Sequence, residues 1–230
     1  MAETVEFASN GQRASGYLVL PPSGRGPGVI VIQEWWGLDP SIKQVTDQVA
    51  AAGFVALAPD LYHGEVAGHD EMDKAGQLMQ SLPPDRAARD MSGAVDFLAA
   101  HDAVTGSGLG VIGFCMGGML AFLLAAERPD RITAAVPFYG LPQGDAEPDW
   151  SKLTATIRGH MAENDNFFGP DAARALEKKL REMGKDVTCT VHPGTGHAFM
   201  NPQNALGTTD EALAARLWPE VFSFLHEKLG

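Results

Sequence analysis

The segment Gly113-Phe114-Cys115-Met116-Gly117-Gly118 has the residue types of a nucleophile held on a sharp turn. It follows an apolar run typical of a strand and opens a run typical of a helix, which is the setting of a G-x-S-x-G elbow. Glycines permit the close backbone contacts of such a turn. Helix N-terminal N–H groups are expected to lower the pKa of the Cys115 thiol. We therefore predict that Cys115 is a nucleophile.

Two other interpretations of this segment are weaker. A free cysteine is often a small buried residue, which is what we expect of Cys189 because it lies in a strand-like run without such a turn. A glycine-rich turn can also hold a phosphate. No lysine, serine or threonine stands where a P-loop requires one.

A base and an orienting acid for Cys115 are found further along the chain. His197 lies in a glycine-containing loop after the last strand-like run, and Asp165 lies in a loop after an earlier one. Both should reach the carboxyl edge of a parallel sheet, where open α/β sheets bind ligands. The order Cys115, Asp165, His197 is also the order of nucleophile, acid and histidine in α/β-hydrolases. We predict a Cys-His-Asp triad.

Other acids and histidines are rivals for these roles. Asp149 and Asp171 could replace Asp165, although an acid at the position of Asp171 can simply cap a helix. His160 and His192 fall within strand-like runs, where a hydrogen-bonded core histidine is expected. The remaining histidines have no paired ligand spacing. We therefore predict neither a metal site nor a cofactor.

Strand and helix patterns alternate along the chain. Apolar, β-branched runs predict strands over 4–7, 16–20, 28–33, 54–58, 109–114, 134–139, 155–161 and 187–192. Helical spacing predicts helices over 40–52, 70–81, 85–100, 116–127, 170–183 and 209–229, with Asp85 as the N-cap of the third. This alternation predicts an α/β fold with a mostly parallel sheet and helices on both faces. Residues 1–230 are expected to form a single domain.

Composition narrows the possible partners. The 230 residues carry a formal net charge of −12, which disfavours binding to nucleic acid or an anionic membrane. Two cysteines are too few for a disulfide scaffold. Neither a secretory signal nor a membrane span is predicted. We expect a soluble cytoplasmic protein, a monomer or small homo-oligomer, acting on a small molecule.

The chain resembles the dienelactone hydrolase family of α/β-hydrolases over nearly its whole length. The matching segments are Gln33-Glu34-Trp35-Trp36-Gly37, Pro59-Asp60-Leu61-Tyr62, Gly113-Phe114-Cys115-Met116-Gly117-Gly118 and Gly194-Thr195-Gly196-His197-Ala198-Phe199. The resemblance implies an α/β-hydrolase fold and hydrolysis of an ester or lactone. It also implies Cys115 as nucleophile, His197 as base and Asp165 as the acid that orients it.

The same resemblance assigns roles beside the triad. It implies that Glu34 lies next to the thiol and controls its ionisation, whereas Glu34 could otherwise be a solvated loop acid. It implies that the backbone N–H groups of Trp35 and Met116 form an oxyanion hole. Trp36, Phe199 and Asn201 are candidates for contact with substrate.

The sequence departs from the family where substrate is held. Well-known members hold the carboxylate of a dienelactone with two arginines, and Asn201 occupies one of those positions. The stretch from residue 64 to residue 84 contains Lys74 but no arginine, while Arg86 and Arg89 fall on a predicted helix. We therefore expect little preference for carboxylate-bearing lactones. A small-molecule binding protein or thiol sensor on the same fold is the alternative function.

Overall fold

The computed structural model describes residues 2–9 and 11–230, and within these residues eight strands form one sheet. The sheet order is β1-β2-β4-β3-β5-β6-β7-β8. β1 and β2 are antiparallel to their neighbours and the other strands are parallel. The strands are β1 Ala2–Ser9, β2 Gln12–Val19, β3 Gly26–Ile32, β4 Val55–Pro59, β5 Val104–Phe114, β6 Ile132–Phe138, β7 Thr156–Asn164 and β8 Val187–Gly196.

Helices cover both faces of the sheet. In the described part of the chain they are α1 Pro40–Ala51, α2 Met72–Gln80, α3 Pro84–Ala99, α4 Met116–Glu127, α5 Pro170–Glu182 and α6 Glu211–Leu229. None of these helices has both the length and the apolar character needed to cross a membrane. Residues of α3, α4 and α5 belong to one hydrophobic core, and residues of α1 and α6 belong to the other.

The β3 strand shows why the sequence run is apolar throughout. Ile30 and Ile32 belong to the core on one face, whereas Val29 and Val31 belong to the core on the other. Successive side chains of a strand point to opposite faces, so a strand covered on both faces has no polar positions. This arrangement confirms the α/β fold with helices on both faces.

The predicted elements are correct in type and order, but several boundaries differ: β2 begins at Gln12 rather than at residue 16, and β8 continues to Gly196 rather than ending at residue 192. β5 begins at Val104, five residues before the predicted start at Leu109, because Gly106 (φ 80°) and its neighbours extend the strand without an apolar pattern. The prediction that Asp85 caps α3 is wrong. Pro83 occupies the N-cap position, and Asp85 lies in the first turn, where it pairs with Arg89.

The parallel strands bring their carboxyl ends to one edge of the sheet. Glu34 follows β3, Cys115 follows β5 and Tyr139 follows β6. Asp165 follows β7, and His197 follows β8. The topology therefore gathers residues that are far apart in sequence at a single edge.

Candidate active site

Cys115 lies on a strained turn between β5 and α4. Its φ of 55° and ψ of −116° are in a region that L-residues rarely adopt. Its N–H donates to the carbonyl of Phe138 at 3.0 Å, and its carbonyl accepts from Met119 at 3.1 Å. A Cβ at Gly113 would lie 2.0 Å from the carbonyl oxygen of Gly117. The turn therefore requires glycine at position 113, as the sequence pattern predicted.

The pKa of the Cys115 thiol is raised, contrary to expectation. Burial raises the pKa of Cys115 far above its ordinary value, and the negative charge of Glu34 raises it further. The N–H of Met116 at the start of α4 acts in the opposite direction. The prediction of a lowered thiol pKa is wrong because desolvation and a neighbouring carboxylate outweigh the helix N-terminus.

His197 and Asp165 form a buried pair. Nδ1 of His197 lies 2.8 Å from Oδ2 of Asp165, whose side chain is fully buried. Oδ1 of Asp165 accepts from the N–H groups of Phe167 and Phe168 at 2.8 and 3.0 Å. These bonds hold the carboxylate, which in turn orients the imidazole. Nε2 is then the ring nitrogen available for proton transfer.

His197 and Cys115 line the same cavity. Within residues 2–9 and 11–230, no direct hydrogen bond joins the thiol to the imidazole. Catalytic hydrogen bonds are often long before substrate binds. The structure therefore brings the three sequence-predicted residues to one site, with the His197–Asp165 bond already formed.

Glu34 is a buried carboxylate rather than a solvated loop acid. It is only 4% exposed. Oε1 accepts from the Tyr139 hydroxyl at 3.1 Å, and Oε2 accepts from the Asn201 amide at 2.6 Å. Burial raises the pKa of Glu34, while these two hydrogen bonds and the nearby His197 oppose that rise. Asn201 thus contacts the acid beside the thiol, and it also lines the cavity.

Tyr139 is a site residue that our sequence reasoning missed. It is fully buried, has a φ of 36°, and packs edge-on to His197 with 5.2 Å between ring centroids. A signal was present, because Tyr139 directly follows β6, the strand next to the Cys115 turn. Its contacts with Glu34 and His197 mean that it positions two candidate catalytic groups.

Trp35 and Met116, the residues whose amides are the candidates for an oxyanion hole, lie at the cavity that contains Cys115. Among the described residues, neither N–H donates to a backbone carbonyl. Met116 is the first residue of α4, so its N–H has no partner within the helix. Both donors are therefore available to a bound oxyanion.

The candidate substrate contacts divide into two groups. Trp36 lines the cavity and stacks on His69 with ring centroids 4.6 Å apart. Phe199 does not line it: the ring is fully buried and packs against Tyr139 and His192. The prediction that Phe199 contacts substrate is therefore not supported, because other side chains separate it from the cavity.

The rival acids have local partners, and neither lines the cavity. Asp149 accepts from Ser151 in a short 3-10 helix, and Asp171 is exposed and pairs with Arg174.

The rival histidines and the second cysteine lie in the protein core. His160 and His192 contact each other at 3.0 Å, and burial lowers the pKa of His160 to about 3. Cys189 is buried on β8. These three assignments as core residues are confirmed. Over residues 2–9 and 11–230, no group of three or more His, Cys, Asp or Glu has the arrangement of a metal site.

The cavity has a volume of about 960 Å³ and is mainly apolar. No lysine or arginine is among the described residues that line it. Arg86 instead approaches the carbonyl of Leu61 at 3.4 Å, and Arg89 pairs with Asp85. A two-arginine clamp for a carboxylate is therefore missing from the described walls, as the sequence led us to expect.

Replacing Glu34 with glutamine should make Cys115 more reactive. The change removes the negative charge that raises the thiol pKa, so the pKa should fall and more thiolate should form. We expect about a tenfold faster alkylation by iodoacetamide at pH 7. Rates measured from pH 6 to 10 would compare the amounts of thiolate in the two proteins at each pH.

Glu65→Gln is the matched control, since Glu65 is exposed and does not line the cavity. Cys189 should not interfere, because its side chain is buried on β8, whereas Cys115 lines the cavity. An unchanged pH profile in Glu34→Gln would contradict the electrostatic effect of Glu34.

The strand order and the strained cysteine at the carboxyl end of β5 define the α/β-hydrolase class. The Dienelactone hydrolase family profile matches residues 14–229. Protein usf of Aquifex pyrophilus is 39% identical, with all of both chains covered. A putative carboxymethylenebutenolidase of Aquifex aeolicus is 35% identical over 97% of each chain. The chain belongs to the dienelactone hydrolase family and is an ester or lactone hydrolase by class.

A solved structure agrees with this placement. The putative dienelactone hydrolase of Klebsiella pneumoniae has a TM-score of 0.84 and 25% identity to this chain. The match covers 98% of this chain and 99% of that one. The similarity of fold therefore extends over nearly the whole chain.

Proposed function

We propose that this protein hydrolyses esters or lactones through a Cys115-His197-Asp165 triad. The observation that carries the proposal is the 2.8 Å contact between His197 and Asp165 in the cavity that also contains Cys115. A nucleophile needs a base, and the base needs an orienting group. All three are present at the carboxyl edge of the sheet.

The first half-reaction forms an acyl-enzyme. Nε2 of His197 takes the thiol proton as the sulfur of Cys115 attacks the carbonyl carbon. The negative oxygen of the tetrahedral intermediate accepts hydrogen bonds from two backbone amides, those of Trp35 and Met116. Such a donor contributes about 3–4 kcal/mol in the transition state. The imidazolium then protonates the leaving oxygen, and the C–O bond breaks.

The second half-reaction restores the enzyme. His197 takes a proton from water, which attacks the thioester carbonyl through the same oxyanion arrangement. The C–S bond then breaks, and the proton returns to sulfur. Asp165 accepts the hydrogen bond from Nδ1 of His197 in both steps and stabilises the imidazolium.

Glu34 controls the thiol in the resting enzyme in this scheme. Its charge keeps the Cys115 proton in place, because burial and Glu34 together raise the thiol pKa. A neutral thiol is a poor target for oxidants. We infer that bound substrate and His197 together make the thiolate available. The raised pKa of Cys115 also weighs against the thiol-sensor alternative, since sensor cysteines have low pKa values.

Mass spectrometry during turnover tests the proposed function. With p-nitrophenyl butyrate, rapid acid quenching should trap a butyryl group on the peptide that contains Cys115. The adduct should appear faster than steady-state turnover and disappear when substrate is exhausted. The Cys189→Ser variant, which alters only the core cysteine, should give the same adduct. Hydrolysis without any adduct, or an adduct at another residue, would contradict the triad.

A further inference from the structure

The cavity extends away from Cys115 along one face of α4. Met119, Leu123 and Glu127 all line it and are spaced four residues apart, so they share one side of the helix. The first residue of α4, Met116, lies about 16 Å from Glu127 at the helical rise per residue. The cavity is therefore an elongated groove that begins at the candidate nucleophile.

The opposite wall of the groove is also apolar. It includes Ala88 and Met91 of α3, Met79 of α2, and Leu82 in the segment between α2 and α3. Methionine side chains are flexible and polarisable, so they adapt to apolar ligands of different shape. This wall favours binding of a hydrocarbon chain. Its named side chains offer no strong hydrogen-bond donor or acceptor to a polar ring such as a lactone.

Glu127, the last residue of α4, lies at the far end of the groove, and Glu147 also lines the cavity. Lys179 pairs with Glu147, whereas no ion pair of Glu127 is found in the part of the chain that the structure describes. A substrate chain that ends in a carboxylate would be repelled by Glu127 at that end. The carboxylate would also lose its hydration along the apolar walls.

We propose that the site takes an uncharged ester whose extended acyl chain lies in the groove between α3 and α4. This inference rests on the proposed function. The acyl group stays bonded to Cys115 through both half-reactions, so a groove that begins at Cys115 contacts it in both. Leu123, about seven residues along α4 from Met116, is the residue that determines the accepted chain length.

A series of p-nitrophenyl esters tests the acyl-chain preference. Each buried methylene favours binding by up to about fourfold. We therefore expect kcat/KM to rise at least about tenfold from acetate to octanoate. Equal values along the series, or a decline from acetate, would overturn the proposal.

Substitutions at Leu123 test the position of the chain. Leu123→Trp should fill the groove and reduce the octanoate-to-acetate ratio of kcat/KM at least about fivefold. Leu123→Ala should shift the preference toward dodecanoate, which keeps the test decisive if the tryptophan variant does not fold. Met183→Trp is the control, because Met183 is exposed and lies outside the cavity. An unchanged ratio in a folded Leu123 variant would contradict this placement.

A terminal carboxylate tests the charge argument. The p-nitrophenyl monoester of decanedioic acid should have a kcat/KM at least about tenfold below that of the decanoate ester. Glu127→Lys should narrow this gap at least about threefold, while Glu3→Lys, the same charge change on exposed β1, should not. Equal hydrolysis of the two esters by the native protein would overturn the proposed discrimination.

Failure of this inference can be separated from failure of the proposed function. If acetate hydrolysis depends on Cys115 but chain length has no effect, the triad stands and the acyl groove is wrong. If no ester is hydrolysed through Cys115, the proposed function itself fails.

Discussion

Replacement of Cys115 with alanine is expected to reduce kcat/KM for p-nitrophenyl butyrate by at least about a thousandfold. The methyl group of alanine cannot attack the carbonyl, so the covalent route is lost and only polarisation by the oxyanion amides remains. The φ of 55° at this position is also strained for alanine. Circular dichroism should therefore accompany the kinetics, to show that the variant is folded.

Cys189→Ala provides the matched control for this experiment. It removes the other thiol, which is buried on β8. Activity of this variant should stay close to that of the unchanged protein once its folded fraction is accounted for. Full esterase activity in Cys115→Ala would eliminate Cys115 as the nucleophile.

Replacement of Asp165 with asparagine is expected to reduce kcat by about 10³–10⁴-fold. The asparagine amide can donate to Nδ1 of His197, which would favour the tautomer that carries its proton on Nε2. That tautomer cannot accept the proton of Cys115. The buried carboxylate that stabilises the imidazolium is lost as well. Steady-state kinetics from pH 6 to 9 would measure the effect on kcat separately from KM.

Asp171→Asn is the control for the acid. Asp171 was a rival in the sequence, but it is exposed and pairs with Arg174, so its substitution should change kcat less than twofold. If Asp165→Asn had an equally small effect, Asp165 would not be the orienting acid.

The sequence was sufficient to predict how the candidate triad is gathered. Cys115, Asp165 and His197 each follow a predicted strand, and parallel strands must present their carboxyl ends on one side. Only the order and direction of the strands were needed, and these follow from apolar runs and helical spacing. The same reasoning separated Cys189 from Cys115, because only Cys115 is flanked by the glycines of a sharp turn.

Properties that depend on three-dimensional packing were not predictable in the same way. The thiol pKa depends on burial and on Glu34, which is 81 residues away along the chain. The sequence motif around Cys115 indicates only the helix N-terminus, which has the opposite effect and lowers the thiol pKa. Phe199 lies two residues after His197, yet its ring is buried in the core. Whether the side chain of a loop residue faces the cavity or the core depends on the residues that pack against it, such as Tyr139 for Phe199.

The absence of the arginine clamp could be predicted, but the groove could not. Asn201 was visible as a departure from the family pattern, and the structure adds that its amide donates to Glu34. The apolar walls combine α2, α3 and α4, whose relative placement no local pattern specifies.

The helices α3 and α4 contribute differently to the site, and this difference has a practical consequence for engineering. α4 begins at the strained cysteine, so changes that shift this helix would also displace the reactive sulfur. α3 contributes Ala88 and Met91 to the opposite wall but none of the proposed catalytic groups. Libraries aimed at new ester preferences should therefore vary the α3 wall first, where selectivity can change without moving the nucleophile.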